Sequence, residues 1–396
     1  MTNLQYFVCK SLENLAELQK NNIRGNAPLK LLIAPLDWGL GHATRSILII
    51  NRLLEAGYEV IIASGGPQAQ ILQEEFPQLK MVRLPGYKFV LGSGRLTTIL
   101  KICLQIPKLL IEIKKENRWL KDLLRSEKID LIISDNRYGL YSKQVYSVFI
   151  THQLYIKTAF GQWIEKKLQA LNYKFINRFS ICWVPDNEKN HALAGILSHP
   201  DVFPKKPIQY IGNLSRFTKT ESLPIYTLMV LLSGPEPQRT LLENKLIAEL
   251  KHYPHKTIFI RGLPGEKQVL FISPSVEIHN HLSSVMLNEK IANSEWVICR
   301  SGYTTIMDLA RMDKKSILIP TPGQTEQEYL ADYLSKKKVA LKINQEDFSL
   351  KEILEAAMKF PFEKFPEQNQ DLLDTAIKNL TQLLKQKDYK PISDLG

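Results

Sequence analysis

The sequence predicts an α/β protein made of two doubly wound domains in tandem, facing one another across a cleft. Three observations predict it. Short runs that are apolar along their whole length alternate with helical stretches, and such runs suit parallel strands covered by helices on both faces. The same alternation restarts after the prolines Pro200, Pro204 and Pro207. The length of 396 residues also exceeds the size at which one core usually stops growing.

Taken in order, Leu29–Pro35 reads as a strand, followed by a glycine-containing turn and a helix from about Ala43 to Ala56. The helix carries Ala43, Ile47, Ile50 and Leu54 on one face, and Gly57 stands where a helix-ending residue belongs. Glu59–Ala63, Lys80–Leu84, Ile129–Ser134, Val148–Thr151 and Ile181–Val184 are further strands, with helical stretches at Gln68–Glu75 and up to about Ser126. After Pro207, strands are expected at Tyr226–Leu232, Thr257–Arg261, Val276–His279, Trp296–Cys299 and Ser316–Ile319. Helices are expected at Pro237–Leu250, Met286–Ala292 and Thr304–Arg311. The expected division is an extension over 1–27, an amino-terminal domain over 28–207, a carboxyl-terminal domain over 208–385 and a tail over 386–396.

Composition removes several classes. A hydrophobic content of 44% with 23% charged residues excludes disorder as the main theme. Cys9, Cys103, Cys182 and Cys299 are widely spaced with no CxxC pair, which argues against a disulfide scaffold or metal cluster and fits a reducing, cytoplasmic setting. The net charge of +12 points to an anionic partner. Nucleic acid is not expected, because the basic residues are dispersed and no nucleic-acid motif is present. The first residues lack the basic start and apolar stretch of a secretory signal. No apolar run reaches the roughly eighteen residues that a spanning helix needs. Ile99 to Ile113, interrupted by Lys101, Gln105, Pro107 and Lys108 and followed by Lys114, Lys115, Arg118 and Lys121, is amphipathic. It reads either as a peripheral membrane contact or as the solvated basic face of a core helix.

Two segments carry the chemistry. Asp37-Trp38-Gly39-Leu40-Gly41-His42 lies between the first strand and first helix, where glycines permit close backbone approach by a ligand. The positive end of the helix dipole disfavours an imidazolium, so His42 is expected neutral and able to accept a proton; a capping or core histidine is the plainer alternative. Val297 to Leu309 is a strand, a Ser-Gly turn and a helix start whose free amides suit a diphosphate, with Arg300 near its charge. Asp308, a turn into that helix, suits the two hydroxyls of a ribose, and Gln327 and Glu328, at the polar loop Thr321–Gln327 after the Ser316–Ile319 strand, suit sugar hydroxyls; a surface helix charge and a solvated loop are the plainer alternatives. Ser134-Asp135-Asn136-Arg137-Tyr138-Gly139 and Thr151-His152-Gln153 follow adjacent strands and are candidates for the cleft. Asp135 or His152 could orient or deprotonate an acceptor hydroxyl, while Asp135 and Asn136 could equally make a turn. Arg45 reads as a phosphate ligand or as a solvated arginine.

The run from Cys299-Arg300-Ser301-Gly302 through Asp308, then Pro320 and Glu326-Gln327-Glu328-Tyr329, together with the Gly39/Gly41/His42 loop, resembles the inverting GT-B glycosyltransferases of the MurG-related family. The resemblance covers roughly residues 29 to 385. It implies two Rossmann-like domains, an amino-terminal one for the acceptor and a carboxyl-terminal one for a UDP-sugar such as UDP-N-acetylglucosamine. It implies that Gly41, Ser233, Gly234, Arg300, Ser301, Gly302 and Thr304 surround the donor phosphates, that Asp308 holds the ribose, and that Gln327 and Glu328 face the sugar. His42 or Asp135 would be the general base, with Gly39, Arg45, Asn136, Arg137, His152 and Gln153 on the acceptor side. No metal or other cofactor is expected, since helix dipoles and basic groups would neutralise the leaving nucleotide. Three departures stand out. Asp308 replaces the usual glutamate, Gln327-Glu328 replaces paired glutamines, and prolines in Ser233-Gly234-Pro235-Glu236-Pro237-Gln238 remove amide donors. The expected activity is inverting transfer to an acceptor hydroxyl, lipid-linked or otherwise anionic, at the cytoplasmic membrane face. A UDP-sugar hydrolase or epimerase, or a non-catalytic sugar-nucleotide-binding subunit, would share the same donor motifs.

Overall fold

The computed structural model describes residues 28–37, 41–86, 92, 95–268, 270–346, 348–369 and 371–386. Among these, the strands form two parallel sheets. The first is ordered β3-β2-β1-β4-β5-β6-β7, from β1 (Lys30–Pro35), β2 (Glu59–Ser64), β3 (Lys80–Arg83), β4 (Leu131–Asp135), β5 (Tyr146–Ile150), β6 (Ile181–Val184) and β7 (Ile208–Tyr210). Helices α1 (Gly41–Glu55), α2 (Gly66–Glu75), α3 (Arg95–Ser126) and α4 (Gln162–Ile176) connect them. The second is ordered β10-β9-β8-β11-β12-β13, from β8 (Tyr226–Leu231), β9 (Thr257–Ile260), β10 (Val276–His279), β11 (Ser294–Cys299), β12 (Ser316–Leu318) and β13 (Leu341–Lys342). Its helices are α5 (Gln238–Leu250), α6 (Ser284–Ala292), α7 (Tyr303–Met312), α8 (Thr325–Lys336), α9 (Leu350–Lys359) and α10 (Asp371–Lys385).

The wholly apolar runs became the central strands. β4 is buried at every position and β1 at every position after Lys30, with side chains packed on both faces of the sheet. In each sheet the order reverses between two neighbours, β1 and β4 in the first and β8 and β11 in the second. The connections leave these strand pairs in opposite directions, so a crevice opens beyond their carboxyl ends. The Gly41-His42 helix start and the β4 end at Asp135 share one such point. The Ser233-Gly234 loop and the Gly302 helix start share the other.

Several elements depart from the sequence reading. β7, beyond the expected division at 207, pairs in parallel with β6 and completes the first sheet. α10 returns to lie on α1, where the Tyr58 and Thr381 hydroxyls are 2.8 Å apart and Arg52 meets Asp374 at 3.3 Å. α8 begins at Thr325 within a stretch expected to be loop, and its acidic first-turn residues Glu326 and Glu328 suit the positive end of a helix. α4 was not among the expected helices, and its inner face is largely polar: Glu165, Gln169 and Asn172 are buried there with Tyr173 and Ile176. Each has its partner, with Glu165 accepting from the Tyr155 hydroxyl at 2.7 Å and Asn172 from Tyr138 at 2.8 Å. Among the described residues, no helix is long and apolar enough to cross a membrane.

Candidate active site

The two switch points face each other across a cleft of about 390 Å³, lined from both sheets by His42, Arg45, Asn136, His152, Ser233, Gly234, Gly302, Thr304, Asp308, Glu326 and Gln327 among others. The helix starts of α1 and α7 touch. Both Thr44 and Thr304 hydroxyls donate to the Gly41 carbonyl oxygen, at 3.0 and 3.2 Å. A Cβ on Gly41 would stand 2.8 Å from Thr304 Oγ1, so glycine is what lets the two domains close here. Both positive helix ends therefore point at the same space.

On the amino-terminal side, His42 is the second residue of α1, and its Nδ1 lies 3.1 Å from Asp135 Oδ2 at the end of β4. Arg45, three residues along the same helix, takes the rest of that carboxylate: Nε donates to Oδ2 at 2.8 Å and Nη2 donates to Oδ1. Nη2 also lies 2.9 Å from His42 Nδ1. Asp135 has no exposed surface and Arg45 only 2%, whereas the His42 side chain retains 15%. Burial acts to raise the Asp135 pKa, but Arg45 and then His42 outweigh it and hold the carboxylate well below its ordinary range. Burial, then the Arg45 charge, lowers the His42 pKa against the opposing pull of Asp135. In the tautomer that donates Nδ1–H to Asp135, the ring carries a lone pair on Nε2, and the Arg45 Nη2 contact at Nδ1 is a close approach of positive charge without a hydrogen bond. Asp135 itself does not line the cleft, so of the two expected bases only His42 is placed to touch a substrate; Asp135 is its orienting partner.

On the carboxyl-terminal side the cleft is walled by backbone. Gly302 caps α7 at φ −68°, ψ 137°, and a Cβ built there meets nothing within 4 Å. Its conformation and packing do not require glycine, and the space in front of it is open. Gly234 on the facing loop is at φ +105°, again with open space around it. Asp308 points into the same cleft from α7 and accepts from the Ser215 hydroxyl at 2.6 Å. Burial pushes its carboxyl up to about 6, against the opposing effects of Arg216 and Ser215.

Arg216 is a site residue that sequence reasoning missed. It lines the cleft beside Asp308 with Nε buried and unpartnered, and burial also lowers its pKa and that of neighbouring His281. A buried guanidinium with a free N–H at an open cleft suits an anion. Glu326 is the second omission. It crosses the cleft to the amino-terminal domain, where Oε1 lies 2.7 Å from His152 Nε2 and Oε2 accepts from Gln153. Burial works to raise its pKa, but His152, His42 and Arg45 hold the carboxyl low. The His152 ring stacks on Tyr303 at 4.1 Å between centroids.

Other expected site residues are placed differently. Arg137 is fully buried and turned from the cleft, donating to the Pro35 carbonyl at 2.8 Å, Glu116 at 2.6 Å and Asp37 at 3.1 Å. It ties the β4–β5 turn to β1 and α3. Arg300, 1% exposed, donates to the carbonyls of Gln238 at 2.7 Å, Ile319 at 3.2 Å and Pro320 at 3.3 Å, and so stitches strand ends together behind the α7 start. Ser301 is buried too, its hydroxyl donating to the Gln327 carbonyl at 2.8 Å. Glu328 accepts from the Gly323 amide at 3.0 Å and faces a separate cavity of about 290 Å³. Successive helical residues turn by about 100°, so Glu326 and Glu328 leave the first turn of α8 in different directions. Gln327 does line the cleft, while its Oε1 accepts from the Thr321 amide at 2.9 Å. Arg45 is a buried partner of Asp135 and has its donors engaged there. Gly39, like residues 1–27 and 387–396, lies outside the described residues.

Comparisons with known proteins agree with this architecture. Residues 242–384 match the glycosyltransferase family 28 C-terminal domain. The UDP-N-acetylglucosamine--N-acetylmuramyl-(pentapeptide) pyrophosphoryl-undecaprenol N-acetylglucosamine transferase of Glaesserella parasuis is 23% identical over 362 residues, covering 88% of this chain and 93% of the relative. Among solved structures, the glycosyltransferase of kitacinnamycin superposes with a TM-score of 0.58 at 13% identity, covering 91% of this chain and 96% of that one. Acinetobacter baumannii MurG gives 0.50 at 13% identity, covering 89% and 94%. A parallel doubly wound sheet on each side of the cleft, superposing on solved glycosyltransferases along nearly its whole length, gives this chain the GT-B fold, and its carboxyl-terminal half matches the glycosyltransferase family 28 C-terminal domain.

Proposed function

We propose that the protein transfers a sugar, with inversion at the anomeric carbon, from a UDP-sugar to an acceptor hydroxyl. The observation that carries this reading is the convergence of His42 and the bare α7 amino terminus on one cleft. The α7 amides at Gly302–Thr304, the Ser233-Gly234 loop and the free Arg216 N–H would receive the diphosphate. Asp308 would accept from the ribose hydroxyls, and Glu326 with Gln327 would meet the sugar. His42 Nε2 would take the acceptor proton as that oxygen attacks, with Asp135 holding the ring's orientation through Nδ1. Charge developing on the leaving UDP would be met by two helix ends and Arg216, so the reaction would proceed without a metal.

The full-length relative's name makes N-acetylglucosamine the first sugar to test. A lipid-linked acceptor is supported by α3, which exposes Leu104 (71%) and Ile111 (54%) among Lys101, Lys108, Lys114 and Lys115. That mixed apolar and basic surface suits a peripheral contact with anionic lipid. The test is turnover of labelled UDP-N-acetylglucosamine with and without lipid-linked acceptors. Acceptor-dependent product with inverted anomeric configuration is expected. Rapid release of free sugar or of an epimer without acceptor would replace this reading with a hydrolase or epimerase. Binding with no turnover under any condition would make the chain a non-catalytic subunit.

A further inference from the structure

We propose that Arg45 is a positioning residue for this reaction: by claiming both carboxylate oxygens of Asp135 and standing at His42 Nδ1, it keeps the imidazole neutral and ready to take a proton at Nε2. The inference rests on the reading of His42 as the base. A histidine paired with a buried carboxylate ordinarily gains affinity for a proton, because the carboxylate favours the imidazolium. Here Asp135 is the buried carboxylate, yet its charge is already met by two Arg45 N–H groups, at 2.8 Å from Nε and by a closer contact from Nη2. The guanidinium fork binds a carboxylate in its own plane, so little of that charge is left to stabilise a second cation. With Nδ1–H given to Asp135, the donor-only guanidinium makes no hydrogen bond to the ring, and the 2.9 Å approach of Nη2 to Nδ1 sets positive charge directly against it.

The other charged groups facing His42 are His152 at the end of β5, which also disfavours its protonation, and Glu326 at the start of α8, whose carboxylate His42 helps hold ionised. Since Glu326 is engaged with His152 and Gln153, the charges in direct contact with the base are Asp135 and the Arg45 that neutralises it. Arg45 lies one turn along α1 from His42, so one helix fixes both the base and the cation that governs it. A base that is already neutral can act at neutral pH, whereas an Asp135-paired histidine without Arg45 would be protonated over part of that range and inactive.

The test is titration of His42 by nitrogen-15 NMR on the full chain, its signal assigned by loss in His42→Gln, in wild type, Arg45→Lys and Arg45→Met. The wild-type midpoint is expected below the ordinary value of about 6.5. Arg45→Met is expected to raise it by about one pH unit, with Arg45→Lys in between, since it keeps the charge and loses the fork. The acid limb of the kcat/KM profile should move up with it. A wild-type midpoint at or above the ordinary value, or unchanged midpoints in both variants, would overturn the proposal. If Arg45→Met fails to fold, the wild-type midpoint and Arg45→Lys decide. Loss of all transferase activity against UDP-sugars, with the NMR shift present, would instead strike the assigned reaction and leave the Arg45 effect standing.

Discussion

At the β1/β4 switch point side chains fill the space: His42, Arg45 and Asp135 form a buried ionic cluster in which one imidazole edge reaches the cleft. At the β8/β11 switch point the backbone is left bare, with Gly234 and Gly302 surrounded by open space. The same topology has been finished in two ways. A side-chain reagent must be held in one orientation and protonation state, which requires charged neighbours locked around it. An anion receptor requires N–H groups with nothing in front of them, and glycine supplies that by omission. Even the two helix-start glycines divide this way, Gly41 packed against Thr304 at the contact between domains and Gly302 facing open space.

The comparison can be broken most sharply at its reagent. His42→Ala should lower kcat by about 10²–10⁴-fold, the usual worth of a general base, while UDP affinity by calorimetry stays near wild type. Equal losses of both would make His42 a structural residue. Next in size, Asp135→Asn leaves Arg45 buried without its counter-charge. It should cost about 3–5 kcal/mol in urea unfolding, whereas a loss under 1 kcal/mol would mean that the cluster is not an ionic lock.

A smaller effect sharpens the receptor side. Burial has raised Asp308 to about 6, so its carboxylate is charged above that pH and protonated below it. If it accepts from both ribose hydroxyls, UDP affinity should fall by about tenfold between pH 7.5 and pH 5, and Asp308→Asn should flatten the dependence. The sign for stability is opposite. A carboxyl whose folded pKa is raised above its unfolded value is stabilised at acid pH and loses that stability as pH rises through about 6. Asp308→Asn should therefore raise the melting temperature of the free protein at neutral pH while weakening UDP binding.

The fold was legible because its central strands are apolar on both faces, as β1 and β4 are, and because Gly57 ends α1 at φ +83°. α4 was not, since its inner face is made of polar residues whose partners lie elsewhere in the chain. In the site, the glycine turns and His42 could be read because helix starts after strands have one geometry. The arginines could not. Arg137 and Arg300 sit beside such turns, yet their donors go to carbonyls at Pro35, Gln238, Ile319 and Pro320, and sequence does not say which way a long side chain leaves. Arg216 lies beyond β7 and Gly212 in a stretch where no helix start marks it. Glu326 and Glu328 were exchanged because the phase of α8 depends on where the helix begins, at Thr325 inside an apparently polar loop.

The central claim, that a nucleotide diphosphate docks on the amides opening α7, is tested most directly by calorimetry of UDP against wild type and Gly302→Ala, with melting temperatures measured alongside. A methyl group there enters open space in an ordinary backbone conformation, so stability should be unchanged while UDP affinity falls at least about tenfold. Undiminished UDP binding by Gly302→Ala at the same melting temperature would contradict the account.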